Sequence, residues 1–357
     1  MKLISPLPIW RLCSVVLAAA GVTGWVFAEE RVAATTPTEW LQAMDNAFRN
    51  LNYDGVFEYS IASHSQIRIE RQRGDRTFSV TADVARDITV ASFRIVHMVI
   101  DGVEHERIAH RGGPRREILR TGPQVSYIVP QDDKSFALAA DFPTGPYPRL
   151  FMNSEALSAS YRFRLSGPGT VIGRPAVCLE VQPLDDNRFG YLLWLDEETG
   201  LLLRSELRDA TGGYLESVKF VSLKVGEAVT KDALEPETPR VPVGPAEEFN
   251  EVPLTPAGPV NWAIGWVPEG FRIADASTHD GTKRRVQVMF SDGLATFSVF
   301  VEPAPRSSAG GVFSRSGATV LLSHDLTGER GDYLVTVVGE VPPVTAQRIA
   351  ESVYREQ

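Results

Sequence analysis

The chain has 357 residues, 43% hydrophobic and 23% charged, which gives room for two ordinary domains and excludes an intrinsically disordered protein. Its formal charge of −9 excludes a global attraction to nucleic acid or to an anionic membrane surface. The chain holds two cysteines, Cys13 and Cys178.

Residues 1–28 have the layout of a secretory signal peptide. Lys2 and Arg11 supply positive charge, 12–27 is an apolar stretch, and Val26-Phe27-Ala28 precedes Glu29-Glu30. A retained membrane anchor would need about 20 apolar residues. Cleavage after Ala28 is expected, which takes the charge to −11 by removing Lys2 and Arg11. Cys13 leaves with that segment, so Cys178 has no internal disulfide partner. Cys178 is expected to be buried in a strand-like run; pairing between chains, and with it a homo-oligomer, stays open.

A helix is predicted first. Thr36-Pro37-Thr38-Glu39 joins a capping residue, a proline at the first helical position and a glutamate three residues after the cap. Trp40, Leu41, Met44, Ala47, Phe48 and Leu51 follow at helical spacing. Strands are expected over 56–61 and 93–100, then, after a tight Asp101-Gly102 turn, over 103–109. Further strands fall at 116–120, 124–129, 177–181, 190–195, 201–207 and 214–223. This spacing predicts one large, strongly bent antiparallel sheet. Residues 150–159 read as a second helix, and the charged stretch 68–86 as a long hairpin tip or a mobile loop.

Seven prolines between 236 and 259, with Glu247, Glu248 and Glu251 among them, read as an extended linker without regular structure. The expected domains are therefore 29–235 and 260–357. In the second, Asp292-Gly293 is predicted as a two-residue hairpin turn pairing Ser291 with Leu294, Phe290 with Ala295, Val288 with Phe297 and Val286 with Val299. That register puts the apolar residues on one face. Ala346, Ile349, Ala350 and Val353 predict a closing amphipathic helix. Asp292 is read as a turn residue with no catalytic part.

No constellation for catalysis stands out. His105 and His110 are five apart in a predicted strand, where they face opposite sides, so they do not read as metal ligands. Gly167-Pro168-Gly169 reads as a turn rather than a phosphate loop. Asp132-Asp133 and Asp185-Asp186 sit beside turn residues and read as solvated acids. Arg115 and Arg116, entering a strand after Gly112-Gly113-Pro114, are the candidate partner-binding pair, because a guanidinium there can fork onto a carboxylate or phosphate.

Taken in order, Asn52-Tyr53-Asp54-Gly55-Val56-Phe57, the 112–117 turn, Leu193-Trp194-Leu195-Asp196 with Leu203-Arg204-Ser205, Ser291-Asp292-Gly293-Leu294 leading to Phe297-Ser298-Val299, and Val338 to Pro343 through Arg348-Ile349-Ala350 resemble the RseB/MucB family. The resemblance spans the expected mature chain, with 65–90 not aligned. It implies an α+β fold: a large N-terminal LolA-like domain, an open, bent antiparallel β-sheet (half-barrel) over helices, plus a smaller C-terminal α/β module that binds an anti-sigma factor.

It also implies a periplasmic, non-enzymatic regulator that uses no cofactor and no metal. Its partner would be the periplasmic part of a membrane-spanning anti-sigma factor, shielded from the protease that starts the envelope-stress cascade. A lipid or lipopolysaccharide fragment would release the block. An apolar concave sheet suits acyl chains, and Trp40, Phe48, Phe57, Tyr59, Leu193 and Trp194 are the lipid-cavity candidates. The alternative is a lipid or lipoprotein carrier, for which a second domain is superfluous.

Overall fold

The computed structural model describes residues 32–73, 76–113, 116–128, 157–237, 255–256, 262–280, 284–304, 312–328 and 331–355. Helix α1 (Pro37–Asn50) starts as its sequence predicts. Thr36 Oγ1 accepts from the Glu39 amide at 3.2 Å while the Glu39 carboxylate accepts from the Thr36 amide at 2.9 Å. This reciprocal pair satisfies two of the amides a helix start leaves open. Those backbone donors at Thr35 and Thr36 hold the Glu39 carboxyl down to about 2. Trp40, Leu41, Met44 and Ala47 are buried along one stripe.

Ten strands follow in the N-terminal part: β1 (Tyr53–Arg73), β2 (Arg76–Ile100), β3 (Val103–Arg111), β4 (Glu117–Thr121), β5 (Gln124–Ile128), β6 (Tyr161–Val171), β7 (Arg174–Pro183), β8 (Gly190–Asp196), β9 (Leu202–Arg208) and β10 (Tyr214–Val225). Antiparallel pairings arrange them as β5-β4-β3-β2-β1-β10-β9-β8-β7-β6. Among the described residues the outer strands β5 and β6 do not pair, so the sheet is open, as expected. Residues 68–73 and 76–86 belong to a long β1–β2 hairpin, paired as far as Arg73 with Arg76. Residues 150–156 of the expected second helix lie outside the described residues.

Alternation along the strands sends one set of side chains under α1. Phe57, Phe93, Ile95, Ile108, Ile118, Leu179, Leu193 and Phe220 form one core with the buried stripe of α1. Phe57 stacks on Phe93 with ring centroids 5.2 Å apart and meets Phe220 edge-on at 6.3 Å. Gly55 is required here, because a Cβ would stand 2.6 Å from the Phe220 ring.

One local reading changes and one holds. Gly167-Pro168-Gly169 is not a turn. It lies inside β6, which bulges between Leu165 and Gly167, and the reversal falls at Ile172-Gly173. Glycine at positive φ supplies the bulge, and Pro168 is tolerated next to it on an edge strand. Cys178 is buried in β7, as expected, and burial pushes its thiol up.

The opposite face of the sheet carries a thinner layer. After β10 the chain makes two 3-10 turns, Gly226–Ala228 and Lys231–Leu234, placing Val229, Ala233 and Leu234 against Val96 and Met98. Beside them Arg107 Nε donates to Glu117 at 2.6 Å in a fully buried pair. Arg107 also holds the carbonyl of Ala233 at 3.2 Å and the carboxylate of Glu237 at 3.1 Å. The first residues of the expected linker are thus tied to the N-terminal sheet.

The C-terminal part comprises β11 (Thr255–Pro256), β12 (Trp262–Ile264), β13 (Arg272–Asp280), β14 (Arg284–Ser291), β15 (Thr296–Pro303), β16 (Phe313–Ser316), β17 (Thr319–Gly328), β18 (Gly331–Gly339), helix α2 (Pro343–Glu351) and β19 (Val353–Arg355). Pairings give β11-β13-β14-β15-β18-β17-β16, with β12 on β19 apart. The short β11 lies within the segment expected to lack regular structure. Ala346, Ile349 and Ala350 of α2 close the core over Phe297, Val299, Val335 and Val337. Val353, expected on that helix, instead opens β19 and is still buried.

Replacing Thr36 by Ala removes the cap acceptor of α1. It should lower stability by about 1 kcal/mol, read by urea denaturation of the mature chain.

Candidate functional site

The two sheets meet at a polar seam whose centre is the β14–β15 turn. The pairing there is Ser291 with Thr296, Phe290 with Phe297, Val288 with Val299 and Val286 with Val301. The expected two-residue turn is therefore a four-residue loop, and the register is shifted by two. A shift of two keeps every apolar residue on its face, so the core residues were correct although their partners were not.

Asp292 is the physical reason for the longer loop. Its Oδ1 accepts from the amides of Leu294 at 2.9 Å and Ala295 at 2.8 Å, the local bonding that favours aspartate in turns. Gly293 takes the positive φ of 95°. Oδ2 faces the other way, accepting from Arg188 Nε at 2.7 Å and from the Tyr161 hydroxyl at 3.0 Å. Leu294 is carried into the N-terminal core and is 1% exposed.

Arg188 is buried at 2% side-chain exposure, against 0% for Asp292. It also donates to the Asp185 carboxylate and to the carbonyl of Glu269, and its guanidinium lies 4.9 Å from the Phe271 ring centre. Asp185, expected as a solvated loop acid, is instead half-buried and paired. Burial, with Asp292 adjacent, keeps the Tyr161 hydroxyl protonated far above its ordinary range. Thr345 at the start of α2 reaches Asn187 at 3.2 Å.

A second fastening lies at the β16–β17 turn. Ser316 pairs with Ser63, and the Gly317 amide donates to the Ala62 carbonyl at 3.1 Å. Glu216 of β10 accepts from the Ala318 amide at 2.7 Å and from the Tyr59 hydroxyl at 2.6 Å. A Cβ on Gly317 would come within 2.3 Å of Glu216, so glycine permits this approach.

The lipid-cavity candidates divide. Trp40, Phe57 and Leu193 are buried in the N-terminal core, and Phe48 and Tyr59 pack half-buried against it. Trp194 points to the other face, beside Val171, Ala176 and Leu203, with the Arg204 guanidinium 4.5 Å from its ring centre. Arg115 lies outside the described residues. Arg116 is half-buried, and its carbonyl accepts from the His110 amide at 3.1 Å. His105 and His110 sit on β3, and no cluster of metal-ligating side chains occurs among the described residues.

The class these features define is a strand-rich scaffold of two parts, an open sheet over a helix and a smaller α/β unit, joined through a buried polar seam. A family model for the MucB/RseB N-terminal domain matches residues 67–238, and one for the MucB/RseB C-terminal domain matches 256–354. The chain is 32% identical over 337 residues to the sigma factor AlgU regulatory protein MucB of Pseudomonas aeruginosa, covering 93% of this chain and 95% of the relative. It is 28% identical over 345 residues to the sigma-E factor regulatory protein RseB of Escherichia coli, again covering 93% and 95%.

Among solved structures, the Pseudomonas aeruginosa MucA/MucB complex matches at TM-score 0.66 and 30% identity, covering 90% of this chain and 99% of that one. MucB alone matches at TM-score 0.55 and 29% identity, covering 91% and 99%. The chain belongs to the MucB/RseB family.

Breaking the Asp292–Arg188 pair should be costly, because it strands a buried charge. Asp292→Ala is expected to lower stability by about 3–5 kcal/mol in urea denaturation. Asp292→Asn keeps an acceptor for the turn amides and should cost less.

Proposed function

We propose that this protein acts in the periplasm by binding the periplasmic segment of a membrane-spanning anti-sigma factor. Bound there, it shields that factor from regulated proteolysis and so restrains the envelope-stress sigma factor. Its action is stoichiometric; no catalytic step is assigned to it.

The observation that carries this reading is the match, over 90% of the chain, to a relative solved in complex with MucA(peri) at TM-score 0.67. A further MucB structure matches at 0.55, with sequence identity at 29% in both. A segment gripping both parts would gain from a seam that holds them in fixed register.

Lipid or lipopolysaccharide fragments are the proposed release signal. Trp40, Phe57 and Leu193 are already packed beneath α1. An acyl chain entering there must displace the helix stripe, and that strain would be felt at Leu294, which shares the same core. A ligand acts this way only by preferring the displaced arrangement.

The test is a pull-down of the mature protein with the periplasmic segment of the cognate anti-sigma factor, with and without lipid A. Binding without lipid and at least tenfold weaker binding with it are expected. No binding in either condition overturns the proposal. Reversing Arg115 and Arg116 together to Glu should weaken the complex about tenfold while leaving the unfolding midpoint unchanged; unaltered affinity would remove both arginines from the interface.

A further inference from the structure

A cleft of about 480 Å³ lies on the face of the N-terminal sheet turned away from α1, apart from the core packed under that helix. Strand register assembles it. Lys224 of β10 pairs with Asp54 of β1, Ser222 with Val56, Val56 with Arg94 of β2, and Arg94 with Ala109 of β3. Cross-strand partners share a face, and Arg111, two residues beyond Ala109, shares it too. Val56 and Ala109 are small residues of the lining, and Arg94, Arg111 and Lys224 are its cations.

One carboxylate is already seated there. Asp54 holds Arg94 through two bonds of 3.0 Å, and Glu117 holds Arg107 at 2.6 Å. Each arginine turns a further nitrogen to the same oxygen of Glu237, at 3.4 Å from Arg94 and 3.1 Å from Arg107. Two guanidinium groups converging on one point make a recognition site for an acid. Glu237 fills it imperfectly. The Arg107 side chain is 2% exposed, yet its Nη2 makes no aligned hydrogen bond. The Glu237 side chain is 68% exposed, and its second oxygen has no donor among the described residues. Arg111 and Lys224 have no ion pair among the described residues either.

We propose that this cleft binds acidic peptides, with the Glu237 carboxylate as its built-in competitor. The group already seated is a side-chain carboxylate, and that sets the ligand class. A ligand with one acid merely exchanges with Glu237 and gains little, because Glu237 is held close by its own chain. An extended peptide with several acids also reaches Arg111 and Lys224, which Glu237 leaves unpaired, so it wins the exchange. The chain's formal charge of −9 gives such a peptide no attraction to the protein as a whole, so binding rests on these local cations. The site stands independently of the anti-sigma-factor reading.

The experiment is fluorescence anisotropy of the mature protein with a labelled, C-terminally amidated hexaglutamate, and with hexaglutamine as the neutral counterpart. Hexaglutamate should bind about tenfold more tightly than hexaglutamine, and Arg111→Ala combined with Lys224→Ala should remove most of that difference. Glu237→Gln empties the seat and should tighten hexaglutamate binding about fivefold. Glu351→Gln, which removes the same charge from exposed α2 in the C-terminal part, should leave it unchanged. Should Glu237→Gln not fold, the double variant decides, since both of its positions are exposed. Equal binding of the two peptides, full hexaglutamate affinity in the folded double variant, or a folded Glu237→Gln that binds no more tightly than Glu351→Gln overturns the proposal.

Discussion

A guanidinium removed from water is tolerated only where acceptors surround it, and Arg188 is met by Asp292, Asp185 and the carbonyl of Glu269. These acceptors come from both sides of the seam, so the charge can be satisfied in only one relative placement of the two sheets. Leu294 then fills a place in the N-terminal core that no N-terminal residue fills. Apolar burial supplies much of the cohesion, and the ion pair supplies the register. The proposed grip of a partner segment on both parts would depend on that register being held.

Much of this was legible in the chain because it rests on local rules. The capping box of α1 lies within four residues, and the strand faces follow from alternation alone. The closing helix shows the same locality, except that Val353 passed into β19. The bent antiparallel sheet was expected from the spacing of the strands, and its openness from the family resemblance. Pairing was harder, since alternation has a period of two and cannot distinguish registers that differ by two. The β14–β15 hairpin showed this: its face was right and its partners were not.

The seam was the least legible part. Asp292 was seen as a corner residue, and it is one. Its second oxygen, however, serves Arg188 and Tyr161, which are 104 and 131 residues away in sequence. Nothing local announces a bond of that span. One signal was present: an arginine, Arg188, beside two aspartates in an otherwise ordinary turn. Glu216 was equally silent, because strand acids are normally solvated. Trp194 was grouped with Leu193, although adjacent strand residues face opposite sides; alternation itself separates them.

The hold of Arg107 on Glu237 sets the length of the tether between the two parts. Eighteen peptide steps separate Glu237 from Thr255, where β11 joins the C-terminal sheet. Fully extended, that stretch reaches roughly 60 Å, at about 3.3–3.6 Å per residue. However far the seam opens, its halves stay confined to a small shared volume. Reclosure is then a first-order event, independent of how much protein the cell holds, and each molecule resets itself without finding another.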